Sequence, residues 1–260
     1  MCLLIFAHRV SESHPLVVAA NRDEFHARPT ANSQFWTQYP ALLAGRDLEQ
    51  GGTWMGFTRQ GRFAAITNYR DPARTAPAPR SRGELPLNYL IGEQGPEPFL
   101  GKLVSSAADY AGFNLLLGDS EQLWYFTNSA RDSQATPLRL EPGIYGLSNA
   151  RLDTPWPKVV RGKARLQSLL QGKAPPSHDS LLPVVSDREL ADPAALHSLG
   201  LDNGMDQLLS SQFIVTERYG TRSSTTLWTD SAGHVDWREL SFNAAGEVKA
   251  RSEWVFELEA

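Results

Sequence analysis

Two apolar runs near the start, Leu3-Leu4-Ile5-Phe6-Ala7-His8 and Leu16-Val17-Val18-Ala19-Ala20, flank the polar stretch Ser11-Glu12-Ser13-His14-Pro15. The second run passes directly into Asn21-Arg22-Asp23-Glu24, and Met1-Cys2 precedes the first. Two short apolar runs around a polar, proline-closed turn predict a β-hairpin. Such a hairpin brings Cys2, the single cysteine of the chain, near the four polar residues at its far end.

A cysteine at position 2 has a specific chemical use. Residue 2 is small, so loss of Met1 is expected. Cys2 would then carry a thiol and a free α-amine on one residue. That amine has an ordinary pKa of roughly 7.7–8.0, so near neutral pH it can take the thiol proton. A neighbouring Arg22 would favour the thiolate. Strand periodicity puts Arg22 and Glu24 on one face and Asn21 and Asp23 on the other. The Arg22–Glu24 pair is the one expected to face Cys2. The plainer reading is a small buried strand cysteine beside a solvated strand end.

The chain has 260 residues, 41% apolar and 21% charged, with a formal net charge of −4. This is a soluble, globular composition long enough for a sizeable core. Nothing in the charge balance suggests a nucleic-acid footprint or a basic membrane patch. One cysteine excludes an intramolecular disulfide framework and a cysteine-rich metal site, and fits a reducing compartment. No run approaches the ~20 apolar residues of a membrane span, and residues 3–7 are too short for a signal segment. The expected location is the cytoplasm.

Further along, Phe35-Trp36 and Tyr39-Pro40 suggest a surface loop pinned by aromatics. Short strands are expected at 42–45, 53–57 and 62–69. Residues 71–82, with three prolines and three arginines, read as a loop, either a plain surface loop or a lid over a site. Helices are expected from about 84 and over 97–108, the second with Phe99, Leu100, Leu103 and Val104 on one stripe. Strands return at 113–118, 123–128 and 143–149. A helix over 156–170 follows, capped by Asp153-Thr154-Pro155. Short helices are expected at 193–199 and 205–209. The chain closes with strands at 212–216, 223–228, 234–240 and 253–258. Strands at both ends with helices between suggest two sheets covered by helices in one domain, 1–260.

No phosphate-cradling glycine motif, no zinc-protease motif and no serine nucleophile elbow occurs. The scattered histidines make no metal shell. Asn68, Asn149 and Arg222 fall where strand ends or turns are expected. A strand-end amide can donate to a developing oxyanion, and an arginine can hold a carboxylate or favour a thiolate. Local turn bonding and a surface charge are the plain alternatives. Trp36, Trp54 and Tyr69 could line an apolar pocket, although core packing is the ordinary role of each.

Met1-Cys2, Asn21-Arg22-Asp23-Glu24, Gly51-Gly52-Thr53-Trp54, Thr67-Asn68-Tyr69, Gly112-Phe113-Asn114-Leu115, Tyr145 to Ala150 with Thr154-Pro155-Trp156, and Tyr219-Gly220-Thr221-Arg222 occur in that order. Together they resemble the NRDE family, whose eukaryotic members are called transport and Golgi organisation proteins. The resemblance implies an N-terminal-nucleophile (Ntn) hydrolase-like fold. That is an α+β, αββα sandwich of two stacked antiparallel sheets flanked by helices.

The chain is similar, more distantly, to cysteine amidohydrolases that cleave bile-salt and penicillin V amides. That similarity implies counterparts at Cys2, Arg22, Asn149 and Arg222, with Asn68 as a further candidate. Those hydrolases place an aspartate three residues after the arginine. Here Asp23 and Glu24 follow at once, so either is the candidate orienting carboxylate. The expected function is a cysteine hydrolase of a small-molecule amide or thioester, needing no cofactor or metal. The alternative is a non-catalytic carrier of haem or an acyl lipid, or a scaffold on the same fold.

Overall fold

The computed structural model describes residues 3–69, 78–119, 121–129, 136–172, 174–199 and 204–259, with backbone alone at 204 and 205. Cys2 and most of the 71–82 loop lie outside the described residues. In chain order the strands are β1 (Leu3–His8), β2 (Leu16–Phe25), β3 (Thr30–Trp36), β4 (Tyr39–Asp47), β5 (Met55–Thr58), β6 (Phe63–Asn68), β7 (Phe113–Gly118), β8 (Leu123–Thr127), β9 (Leu138–Arg139), β10 (Gly143–Leu147), β11 (Tyr219–Thr229), β12 (His234–Phe242) and β13 (Val248–Glu257). The helices are α1 (Glu84–Ile91), α2 (Pro96–Ser106), α3 (Pro157–Gln171), α4 (His178–Leu181), α5 (Pro193–His197) and α6 (Gly204–Leu209).

These elements form two compact units, each assembled from discontinuous segments. The first comprises 1–27, 142–148 and 153–255, and the second 28–141, 149–152 and 256–260. A six-stranded sheet, β10-β1-β2-β11-β12-β13, belongs to the first, and a seven-stranded sheet, β3-β4-β5-β6-β7-β8-β9, to the second.

In the first unit the predicted hairpin forms, with Leu3 opposite Asn21 and His8 opposite Leu16. All six residues of β1 are buried, because β10 and β2 pair with its two edges and α3 packs on it. The inward stripe of α3 is Lys158, Val159, Gly162 and Leu166, the spacing of one helical face. The helix does not use the expected cap. Trp156 stands at the N-cap with Pro157 behind it. Asp153 instead accepts from the Gly146 N–H (2.8 Å) and pairs with Lys163 (2.7 Å).

The strand expected at 212–216 is absent. Phe213 and Ile214 are buried, but their backbone groups find other partners. The Phe213 N–H donates to the Asp187 carbonyl at 2.9 Å. The Ile214 N–H donates to Thr221 Oγ1, also at 2.9 Å. Apolar burial without a ladder looks like a strand in sequence and is not one.

In the second unit α1 buries Leu85, Pro86, Tyr89 and Leu90 and packs on β5 and β6. Along α2, Leu100 and Leu103 are buried while Val104 is 44% exposed, so the stripe is narrower than expected. The aromatic loop expected near 35–40 is a hairpin of β3 and β4. Its Trp36 indole N–H donates to the Ala44 carbonyl at 2.9 Å. Two register shifts, between Ala31 and Gln34 and between Phe35 and Trp36, break the alternation that would have revealed β3.

Candidate functional site

The tetrad Asn21-Arg22-Asp23-Glu24 is not a solvated strand end. It lies inside β2, with Asn21, Arg22 and Asp23 only 0%, 4% and 2% exposed. Burying an arginine and an aspartate demands partners, and β11 faces them. Asn21 stands opposite Ser224, Arg22 opposite Ser223, Asp23 opposite Thr221 and Glu24 opposite Gly220. The two sequence motifs, separated by about 200 residues, are the two sides of one ladder.

Asn21 and Asp23 share a face. The Asn21 amide donates to the carbonyls of Val185 and Gln212, each at 2.7 Å, and its oxygen accepts from Ser224 Oγ at 2.6 Å. Thr221 Oγ1 donates to Asp23 Oδ1 at 2.7 Å while accepting from the Ile214 N–H. This face is therefore the one covered by the 182–185 and 212–214 segments. Arg22 and Glu24 point from the opposite face, as the alternation of β2 predicts.

Arg222 is not at a strand end. It occupies a β-bulge, the extra residue between Thr221 and Ser223, and bulges re-aim side chains. Its Nη1 donates to the carbonyls of Phe25 (2.7 Å) and His26 (3.1 Å), tying the end of β2 to β11. Burial holds this guanidinium below its usual pKa, and the nearby Glu24 carboxylate pulls it back up. Glu24 itself accepts from the Phe25 N–H at 2.9 Å. His26 places Nε2 3.0 Å from the Thr216 carbonyl, so that nitrogen carries the hydrogen.

Gly220 is required by contact rather than by a turn. A Cβ there would sit 2.6 Å from the Ile214 carbonyl oxygen, because 213–214 crosses close over β11. The glycine, threonine and arginine of the later motif thus have separate jobs: clearance, a hydroxyl for Asp23, and a bulge.

The remaining candidates lie in the second unit. The Asn149 amide donates to the Asn68 carbonyl at 3.1 Å. Trp54 is buried beneath Gly45, where a Cβ would meet the indole at 2.3 Å, so Trp54 packs in the core. The Tyr69 N–H donates to the Gly112 carbonyl at 2.9 Å. Asn114 and Tyr125 are two further polar residues that sequence alone does not single out as site residues. Asn114, fully buried, donates to Thr67 Oγ1 (3.1 Å) and the Ala150 carbonyl (2.9 Å) and accepts from the Tyr125 hydroxyl (2.8 Å). The Tyr125 hydroxyl accepts in turn from the Leu152 N–H at 3.3 Å. Burial pushes Tyr125 up to about 12, so it stays a neutral donor. Together they clamp segment 149–152, which carries Asn149. An asparagine in the middle of an apolar strand was the available signal, since a buried amide must be paired.

Among the described residues no cluster of His, Cys, Asp or Glu could hold a metal ion, and no helix is long and apolar enough to cross a membrane. Chemically, the β2–β11 ladder offers a buried arginine on one face of β2 and a buried carboxylate on the other, at the end of β2 that pairs with Leu3.

A solved structure described as a Caenorhabditis elegans N-acylethanolamine-hydrolyzing acid amidase (NAAA) ortholog shares the fold. It superposes with a TM-score of 0.50 at 10% identity, covering 87% of this chain and 92% of that one. The fold is thus Ntn-hydrolase-like, as the resemblance implied. The human Transport and Golgi organization protein 2 homolog is 36% identical over 262 residues, covering 93% of each chain. The Bos taurus homolog is 37% identical over the same length and coverage. The family model described as Transport and Golgi organisation 2 matches residues 1–244, and the chain belongs to that family.

Proposed function

We propose that the chain is an N-terminal cysteine hydrolase of a small-molecule amide or thioester, with Cys2 as nucleophile after removal of Met1. The observation that carries this reading is the buried Arg22, held in β2 beside Asp23 and one position beyond the residue opposite Leu3. Cys2 is the covalent neighbour of Leu3. A cation buried at that end of β2 favours a thiolate over a thiol.

In the proposed cycle the free α-amine takes the thiol proton and the thiolate attacks the substrate carbonyl carbon. The C–S bond forms and the carbonyl oxygen becomes an oxyanion. The α-ammonium then gives its proton to the leaving amine or thiol as the scissile bond breaks, leaving an acyl-thioester on Cys2. Water, deprotonated by the same amine, hydrolyses that thioester and restores the enzyme. Arg22 stabilises the thiolate, and Arg222 fixes the end of β2 through the Phe25 and His26 carbonyls.

The test begins with the intact mass, which should lack Met1. N-acyl p-nitroanilides and acyl thioesters of graded chain length are then assayed with wild type, C2A and R22Q. C2A should fold and lose turnover to background, and undiminished turnover by C2A would sink the proposal. The rate of iodoacetamide alkylation against pH should report a Cys2 thiol below its ordinary pKa of ~8.5. That pKa should rise in R22Q; an unchanged profile would remove Arg22 from the mechanism.

A further inference from the structure

The second unit contains a cavity of about 480 Å³ between the start of β4, the turn after β5 and the C-terminal end of α1. Its volume falls in the ~300–1,000 Å³ range of small-molecule sites. Tyr39, Pro40, Ala41, Leu90 and Ile91 give it an apolar wall, and Tyr39 and Ile91 are left 40% and 38% exposed. One basic side chain, Arg62, lines it.

Arg62 is half-buried and rigidly held. Its Nε and Nη2 donate to the Tyr89 carbonyl at 3.1 and 2.7 Å, and Nη2 donates also to the Gln94 carbonyl at 2.7 Å. The guanidinium carbon lies 3.9 Å from the centre of the Tyr89 ring. These contacts occupy one edge of the fork and leave Nη1 with no hydrogen bond among the described residues. No carboxylate of the described residues pairs with Arg62. Glu93 lines the same cavity but lies beyond ion-pair distance, on the exposed rim.

We propose that this cavity is a binding site for a small organic monocarboxylate. The apolar body would pack on Tyr39, Pro40 and Ile91, and the carboxylate would accept from Arg62 Nη1. A preorganised guanidinium beside apolar wall suits such a ligand. A dianionic phosphate would want a second cation, which the lining does not provide, and Glu93 would oppose it. The site is separate from the cysteine reading and does not depend on it.

The test is isothermal titration of the full chain with octanoate, against octanol as the uncharged control. Octanoate should saturate one site per chain, with octanol weaker by about tenfold or more, the size expected of a charge-assisted contact. A41F fills the cavity and should abolish binding. I91E adds a negative charge at an exposed position and should weaken octanoate by about tenfold while leaving the thermal transition unchanged. Neither change should affect turnover of the substrates above. Failure of octanoate to saturate would overturn the proposal. So would equal binding of octanol, or wild-type affinity in both variants, which would place octanoate elsewhere.

Discussion

Replacing Asn21 should unfold the protein more readily than it disturbs any chemistry. The side chain is fully buried and makes three hydrogen bonds, to the Val185 and Gln212 carbonyls and from Ser224 Oγ. N21A strands two buried carbonyls and one hydroxyl. Each buried polar group left unpaired costs about 1–3 kcal/mol. Carbonyls tolerate the loss better than N–H groups, so the lower half of that range applies, about 3–6 kcal/mol in total. Domains commonly hold only ~5–15 kcal/mol, so this loss is severe.

The assay is urea unfolding by circular dichroism, with the thermal midpoint as a second reading. For a chain of this size the midpoint should fall by roughly 6–24 °C. N21D sharpens the test. It keeps the shape but turns the donor amide into an acceptor facing two carbonyls, so it should be less stable than N21A at neutral pH and recover as its carboxyl is protonated. S224A removes one bond and should cost about 1–2 kcal/mol, and its effect should not add to that of N21A. A loss below about 1 kcal/mol in N21A would refute the reasoning. Equal stability of N21A and N21D would show that the amide donors are not what the site uses.

Gly220→Ala should cost about 1–3 kcal/mol, since its Cβ would meet the Ile214 carbonyl at 2.6 Å; an unchanged thermal midpoint would show that segment 213–214 moves aside freely. His178 gives a pH dependence. Its Nδ1 lies 2.7 Å from Thr226 Oγ1 and its Nε2 2.7 Å from Asp236 Oδ1, and burial lowers its pKa below 6.5 despite Asp236, with Arg238 and Glu253 the other charges that act on it. The unfolded chain therefore binds the proton more tightly. This contribution is complete above pH 6.5 and is lost as pH falls below it, by up to about 1.4 kcal/mol per pH unit until the folded pKa is reached. Urea unfolding between pH 7 and 5 should show that slope in wild type and a flatter one in H178Q.

Much of the fold was legible because it follows period and punctuation. The first hairpin and the paired strands at 113–118 and 123–127 are short, mostly apolar runs bounded by turn residues, and the helix that begins at Glu84 carries a helical stripe. What sequence missed has local causes. Two register shifts hide the alternation of β3. Segment 212–214 buries apolar side chains but gives its backbone groups to Asn21, Asp187 and Thr221 instead of a ladder. Asp153 does not cap α3 because it is drawn to Lys163 and the Gly146 N–H.

The site was legible in its parts and not in its assembly. Four polar residues at the end of an apolar run read as a solvated end unless something covers them, and what covers them is encoded some 200 residues later. Thr221 and Ser224 supply the hydroxyls that make burial of Asp23 and Asn21 affordable, but neither residue type announces that role in a strand. The bulge matters more. Without it Arg222 would fall in strict alternation with Thr221 and Ser223; with it, the guanidinium turns to the Phe25 and His26 carbonyls. The same ladder separates the tetrad by task. Asn21 and Asp23 are engaged by β11 and the 182–185 and 212–214 segments, and so they serve the fold. Arg22 and Glu24 point from the other face, which leaves Arg22, the more buried of that pair, as the tetrad residue whose replacement should change thiol chemistry.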